Sequence, residues 1–210
     1  MQRPAVTPSD SLKATDNEKS TTVKDNVMDA AVRCFTAHGI SKTSMEGIAR
    51  ESGISRSTIY RHFVDRDDLI LAILEREAIA IIFKILPRVD SHKNIGDFII
   101  EGMLEAMKEI PNNPALSILL EPDSLAISSR IMLMADRLSH VTIDAVGPMV
   151  NAAKKTGILR KSVTTELLVD WVIRNLFSLL TIPSSATQTE TQKRHLLEVM
   201  LLPAILENHQ

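Results

Sequence analysis

The chain has 210 residues, 44% of them hydrophobic and 24% charged, which is enough apolar material for a sizeable core and too much for wholesale disorder. A net charge of −2 argues on its own against a nucleic-acid binder, and a single cysteine, Cys34, excludes an intramolecular disulfide framework and fits a reducing compartment. No apolar run reaches the roughly 18 residues that a bilayer span needs, and residues 1–20 lack the apolar core of a signal peptide, so the reading is a cytoplasmic protein with no membrane partner.

Residues 1–21 hold two prolines and many Ser, Thr, Asp and Lys, with no apolar period, and predict a disordered tail. Residues 22–68 predict a three-helix domain. Val23, Val27, Ala30, Ala31 and Phe35 recur at helical spacing, and Gly39 follows as a C-terminal cap. Thr43 with Glu46 three residues on predicts a capping box that opens a second helix, ending at Gly53. Ser55 caps a third, which runs to about Phe63.

From residue 69 the chain reads as a second helical domain, to residue 210. Asp65 caps a helix that ends at Pro87; Asn94 and Pro111 bracket the next, and Asn113-Pro114 predicts a short one. A long helix from Ser124 or Ser128 to Lys155 contains Pro148, which predicts a kink or a split. Thr164 or Thr165 opens a helix to Leu180, and Thr189 with Gln192 opens a last one that fades after Pro203. No alternating strand pattern intervenes. The fold class is all-α, about nine helices.

The charge is unevenly placed. Residues 19–66 carry eight bases against five acids, while residues 67–210 carry fourteen against eighteen. A basic head on an acidic body is the asymmetry of a chain that meets phosphates with one module. Within that head, residues 43–66 read as a helix-turn-helix. Ile48, Ala49, Ile54, Ile59 and Phe63 form its inner face, with Val32 and Phe35 as the floor, and Gly53 takes a backbone conformation costly for a β-branched residue. The outer arc is left to Ser55, Arg56, Ser57, Thr58, Tyr60, Arg61 and His62. Arg56 suits a bidentate bond to guanine, and Ser57 and Thr58 suit base edges or a thymine methyl. Tyr60, His62, Lys42, Thr43 and Ser44 suit backbone phosphates, and Arg66 keeps a positive charge at the start of the next helix.

The run Gly53-Ile-Ser-Arg-Ser-Thr-Ile-Tyr-Arg-His-Phe63, followed by Asp65-Arg-Asp-Asp-Leu69 and preceded by Phe35-Thr-Ala-His-Gly-Ile-Ser-Lys-Thr-Ser-Met45, resembles the signature of the tetracycline-repressor (TetR) family over about residues 22–70. The resemblance implies a homodimer whose two DNA-binding domains sit on a ligand-binding body. It also implies a four-helix dimer interface from the last two long helices, around 165–180 and 189–206. Their composition agrees, since both are apolar around most of their circumference and need cover on two sides. A symmetric pair reading adjacent turns of a palindromic operator would space its recognition helices roughly 34–36 Å apart.

In the body, Phe98, Met103, Met107, Met132, Met134, Trp171 and Phe177 are candidate lining residues for a small apolar effector, with Arg174 and Asn175 as polar anchors. No Gly-rich phosphate loop, metal-spaced cluster or nucleophile–base pair is present, so no cofactor, metal or enzymatic activity is predicted. Cys34, beside Phe35, reads as a buried small side chain rather than a redox sensor. The functional expectation is a sequence-specific DNA-binding regulator, a repressor released from its operator by a small apolar ligand. The alternative is a helical adaptor whose hairpin no longer binds DNA, which salt dependence of binding would separate.

Overall fold

The computed structural model describes residues 8–89, 94–117 and 128–207, and their side chains except at 8–21 and 128–137. The described residues form nine α-helical segments: α1 Pro8–His38, α2 Met45–Ser52, α3 Arg56–His62, α4 Arg66–Val89, α5 Ile95–Asn112, α6 Ser128–Lys155, α7 Thr165–Thr181, α8 Glu190–Met200 and α9 Leu202–Ile205. None of them is long and apolar enough to cross a membrane. The chain divides into two compact units, residues 1–73 and 74–210, so the boundary falls inside α4, a few residues beyond the expected one at 68/69.

Most of the segment expected as a disordered tail is helical, since α1 starts at Pro8. Proline is tolerated in a first turn, and a helix already nucleated by its packed C-terminal half extends without a second nucleation cost. Residues 1–7 lie outside the described residues.

Capping chemistry sets most helix starts. Ser44, Ser55, Asn94, Thr164 and Thr189 each accept a backbone N–H two or three residues into their helices. The cap expected at Thr43 falls on Ser44 instead, and Gly47 at its third position has no side chain to complete a box. Ser44 Oγ accepts from the Gly47 N–H at 3.1 Å, while the Thr43 hydroxyl turns back to the carbonyls of Gly39 (2.8 Å) and Cys34 (3.3 Å). Asp65 and Asp68 cap α4 reciprocally, Asp65 accepting from the Asp68 N–H and Asp68 from the Val64 N–H.

Prolines end fewer helices than predicted. Pro87, Pro111 and Pro148 all lie inside helices, and α6 runs through Pro148 without a split. Pro203 does act as a break, because α8 stops at Met200 and the single turn of α9 restarts with the proline in its first turn. The short helix expected after Pro114 amounts, within the described residues, to a turn at 114–117 in which the Ala115 and Leu116 N–H groups donate to Asn113 Oδ1.

In the first unit α1, α2 and α3 pack around Val27, Ala30, Ala31, Ile48, Ile59 and Leu69, all fully buried. Phe35 and Phe63 join them, but Val32, Ala49 and Ile54 are only half-buried, so the floor of the hairpin is set one helical step from the expected Val32. The second unit is built around α5, which packs against α6, α7 and α8 and buries nine residues, Ile100, Met103 and Leu104 among the deepest. An antiparallel bridge between Leu159 and Leu206 ties the last turn back to the α6–α7 connection. There Arg160 donates through Nε to the Leu206 carbonyl and through Nη2 to that of Pro203.

Candidate nucleic-acid interface and ligand cavity

The hairpin turn depends on Gly53, whose φ of 68° lies in the left-handed region that a residue with a Cβ avoids. Beyond it the chain enters α3 through a cluster of three hydroxyls. Ser55 Oγ accepts the Thr58 N–H and lies 3.0 Å from Ser57 Oγ and 2.9 Å from Thr58 Oγ1. Ile59, fully buried, fixes the rotation of α3, so Arg56, Ser57, Tyr60 and Arg61 face outward. Lys42 and Ser44 are exposed on the approach to α2, where the Ser44 hydroxyl accepts the cap bond and also bonds the Glu46 carboxyl.

Arg56 is held rather than loose. Its Nη1 lies 2.5 Å from Glu46 Oε1 on α2, and its guanidinium carbon sits 5.6 Å from the centroid of the Tyr60 ring. The backbone N–H at the start of α2, then Arg56, hold the Glu46 carboxyl below its usual range, so it stays ionised. An exposed ion pair of this kind adds little stability; its effect is to restrict the orientation of the Arg56 side chain on the outer arc of α3. Sequence reasoning treated Glu46 only as a capping acid and missed this role. The signal available was an acid on the outer face of one hairpin helix with a base opening the next.

Three predicted contact residues are placed otherwise. Thr43 is 6% exposed and its hydroxyl serves backbone carbonyls, so it closes the α1–α2 turn from within. Arg66 is half-buried and donates through Nη2 to the Ile40 carbonyl, pinning the same turn. His62 is half-buried with Nε2 sealed from solvent and without a hydrogen-bond partner. Burial, then the charges of Arg61 and Lys24, push its pKa below the ordinary 6.5. A neutral, sealed imidazole is a poor phosphate clamp.

A depressed histidine leaves the unfolded chain binding more protons in acid, so stability is full above pH 6.5 and declines as pH falls through the folded value. Melting followed by circular dichroism should therefore give a lower midpoint at pH 5.5 than at pH 7.5. His62→Leu should remove part of that slope, and an unchanged slope would count against the sealed, neutral imidazole. Cys34, 9% exposed, has its thiol pushed up chiefly by burial, which disfavours the reactive thiolate.

The second unit holds a partly open cavity of about 220 Å³ bounded by α4, α5, α6 and α7. Ile81 and Ile85 of α4, Phe98 and Met103 of α5, and Val172 and Phe177 of α7 are representative walls. Of the nine predicted lining residues, Phe98, Met103 and Phe177 reach it. Met107 is buried elsewhere in the core. Met132 and Met134 lie outside the described side chains. Trp171, Arg174 and Asn175 are on the opposite face of α7 from the residues that line the cavity. Arg174 is exposed and bonded to Asp170 at 2.8 Å, and Asn175 donates to the Trp171 carbonyl. Arg174 and Asn175, expected as polar anchors, are not among the residues that line the cavity. Instead the helix spends its more continuous apolar stripe, residues 168, 169, 172, 173, 176, 177 and 180, on the cavity.

The outer face of α7 and the neighbouring helix expose apolar side chains: Leu167 (58%), Ile182 (63%), Val199 (52%) and Met200 (64%). Isolated exposed apolar residues are ordinary, but several large ones on two successive helices mark an association surface.

Residues 27–73 match the family described as bacterial regulatory proteins, tetR family. Over 185 residues the chain is 25% identical to an uncharacterised HTH-type transcriptional regulator of Mycobacterium tuberculosis, covering 86% of this chain and 84% of that protein. It is 34% identical over 98 residues to the HTH-type transcriptional regulator AcrR of Shigella flexneri, 47% of this chain and 37% of that one. Among solved structures, the TetR family repressor AlkX from Dietzia matches with a TM-score of 0.65 at 20% identity, over 87% of this chain and 96% of that one, a likeness of fold.

Proposed function

Because the chain belongs to the tetR family of bacterial regulatory proteins, whose members are DNA-binding transcriptional regulators, we propose that two copies of it repress transcription from a palindromic operator and are released by a small apolar ligand. The observation that carries the reading is the outer arc of α3, where Arg56, Ser57 and Tyr60 stand exposed on a helix locked by buried Ile59 and Phe63. Rigid support of this kind is what direct reading of base edges requires. Lys42, Ser44 and Arg61 supply charge and donors for the flanking phosphates.

The exposed apolar side chains of α7 and α8 support a dimer, since covering each large one contributes on the order of 1.5–3 kcal/mol before the losses of association. The cavity supports an effector, and α4 supports the coupling. The helix begins at Arg66, whose Nη2 holds the α1–α2 turn, and continues into Ile81 and Ile85 at the cavity wall. A ligand that prefers one setting of α4 changes DNA affinity by its differential binding to the two settings. A ligand-bound structure in which α4 and the separation of the two α3 helices are unchanged would exclude that lever.

The test of the function is selection from a pool of random duplexes by the purified protein at moderate salt. The expected result is enrichment of a palindrome with two half-sites. Retention of DNA without sequence enrichment, or no retention, overturns the reading.

A further inference from the structure

Resting on the reading of the cavity as the effector site, we propose that the effector is an uncharged aliphatic alcohol, selected by the hydroxyl of Thr142. Among the described lining residues no side chain carries a charge, and Thr142 brings the one side-chain hydrogen-bonding group. The nearby cations of α4 are engaged elsewhere, Lys84 with Glu109 at 2.6 Å and Arg88 with Glu105 and Glu109 at 2.9 and 2.7 Å. An ionised head group would lose its hydration and find no counter-charge in that wall.

Size and shape narrow the choice further. A cavity of about 150 Å³ admits benzene, so 220 Å³ takes a somewhat larger molecule. The walls are mainly branched aliphatic side chains from four helices, with Phe98 and Phe177 the aromatic exceptions. They give a flexible chain apolar contact from four helices, and they offer no pair of parallel aromatic faces for a flat ring.

The orientation of the Thr142 hydroxyl then distinguishes among neutral ligands. Its Oγ1 donates to the Leu138 carbonyl at 2.8 Å, one turn back along α6. A hydroxyl has one proton and two lone pairs, so with its proton given to Leu138 the only bond it can make to a ligand is one it accepts. A ligand that donates, an alcohol, completes the pair. A ketone, aldehyde or ester brings a second acceptor, and its oxygen is left buried without a partner. Removing the Thr142 oxygen leaves the Leu138 carbonyl with its helical N–H donor, so the substitution to valine is local in its consequences.

The experiment is calorimetric titration of the full chain with 1-octanol, 2-octanone, n-octane and octanoate, repeated on Thr142→Val and Thr142→Ser. In the wild type, 1-octanol is expected to bind about tenfold or more tighter than 2-octanone, and octanoate not detectably. Thr142→Val is expected to weaken 1-octanol by about tenfold, the consequence of an unsatisfied buried hydroxyl, while n-octane stays within about twofold. Thr142→Ser keeps the oxygen and is expected to keep the preference, which separates the hydroxyl's role from any disturbance of the helix. Tightest binding by octanoate, or an octanol affinity indifferent to Thr142→Val, overturns the alcohol assignment and leaves the cavity as an effector site. Failure of all four probes to bind overturns the effector site itself and this inference with it.

Discussion

Arg56→Ala is expected to abolish preference at one base pair in each operator half-site, a loss of roughly 1–3 kcal/mol per half-site for the preferred base, while discrimination at the other positions persists. The expectation follows from the arrangement of the side chain. Its guanidinium is positioned by Glu46 on one side and by the face of Tyr60 beneath, so its orientation is restricted before any base edge is met. Alanine removes the donors and leaves α3 otherwise seated, because Ile59 and Phe63 set its position. The measurement is competition binding with the selected duplex and its single-base variants. A uniform loss across all of them would reassign Arg56 to the phosphates. Glu46→Gln should give a weaker form of the same phenotype, since the guanidinium keeps its donors and loses its charged tether.

The double variant Leu167→Glu, Val199→Glu is expected to convert the dimer to a monomer and to lower operator affinity by about 10²–10⁴-fold, the advantage that a second linked contact confers. Both side chains are more than half exposed in the single chain, so placing charge there costs the fold of one copy little. In a dimer built on this face, four carboxylates would be brought together out of water. Sedimentation reads the oligomeric state and circular dichroism the integrity of the helices. A variant that stays dimeric and keeps its affinity would move the association surface elsewhere.

The hairpin was the most legible part of the chain because its determinants are local. A cap serine, a glycine at positive φ and a buried isoleucine four residues into the next helix each act within a few positions of where they occur. Thr43 shows the limit of that logic. Two hydroxyl residues stood side by side, and the choice between them rested on the carbonyls of Gly39 and Cys34, which a spacing rule does not see. His62 and Arg66 were misjudged for a related reason. Polar type predicts solvent, whereas Arg66 bonds the turn between α1 and α2 and His62 is half-buried with Lys24 of α1 nearby. In the body the apolar periodicity located the helices and not their rotation, so Trp171, Arg174 and Asn175 were assigned inward on a helix that turns them out. Prolines were over-read as terminators, because packing around α5 and α6 outweighs one missing N–H. Phe98, Met103 and Phe177 were found because large apolar residues on the core face of a helix border whatever space the core leaves open.

The bond between Arg160 and the Pro203 carbonyl, 43 residues further on, has a consequence for the order of events during synthesis. At about 5–20 residues per second, the partners that close the base of the α7–α8 segment are made several seconds after the arginine that receives them. Until then the apolar surface of these two helices has no tied base and no settled geometry to offer a second nascent copy.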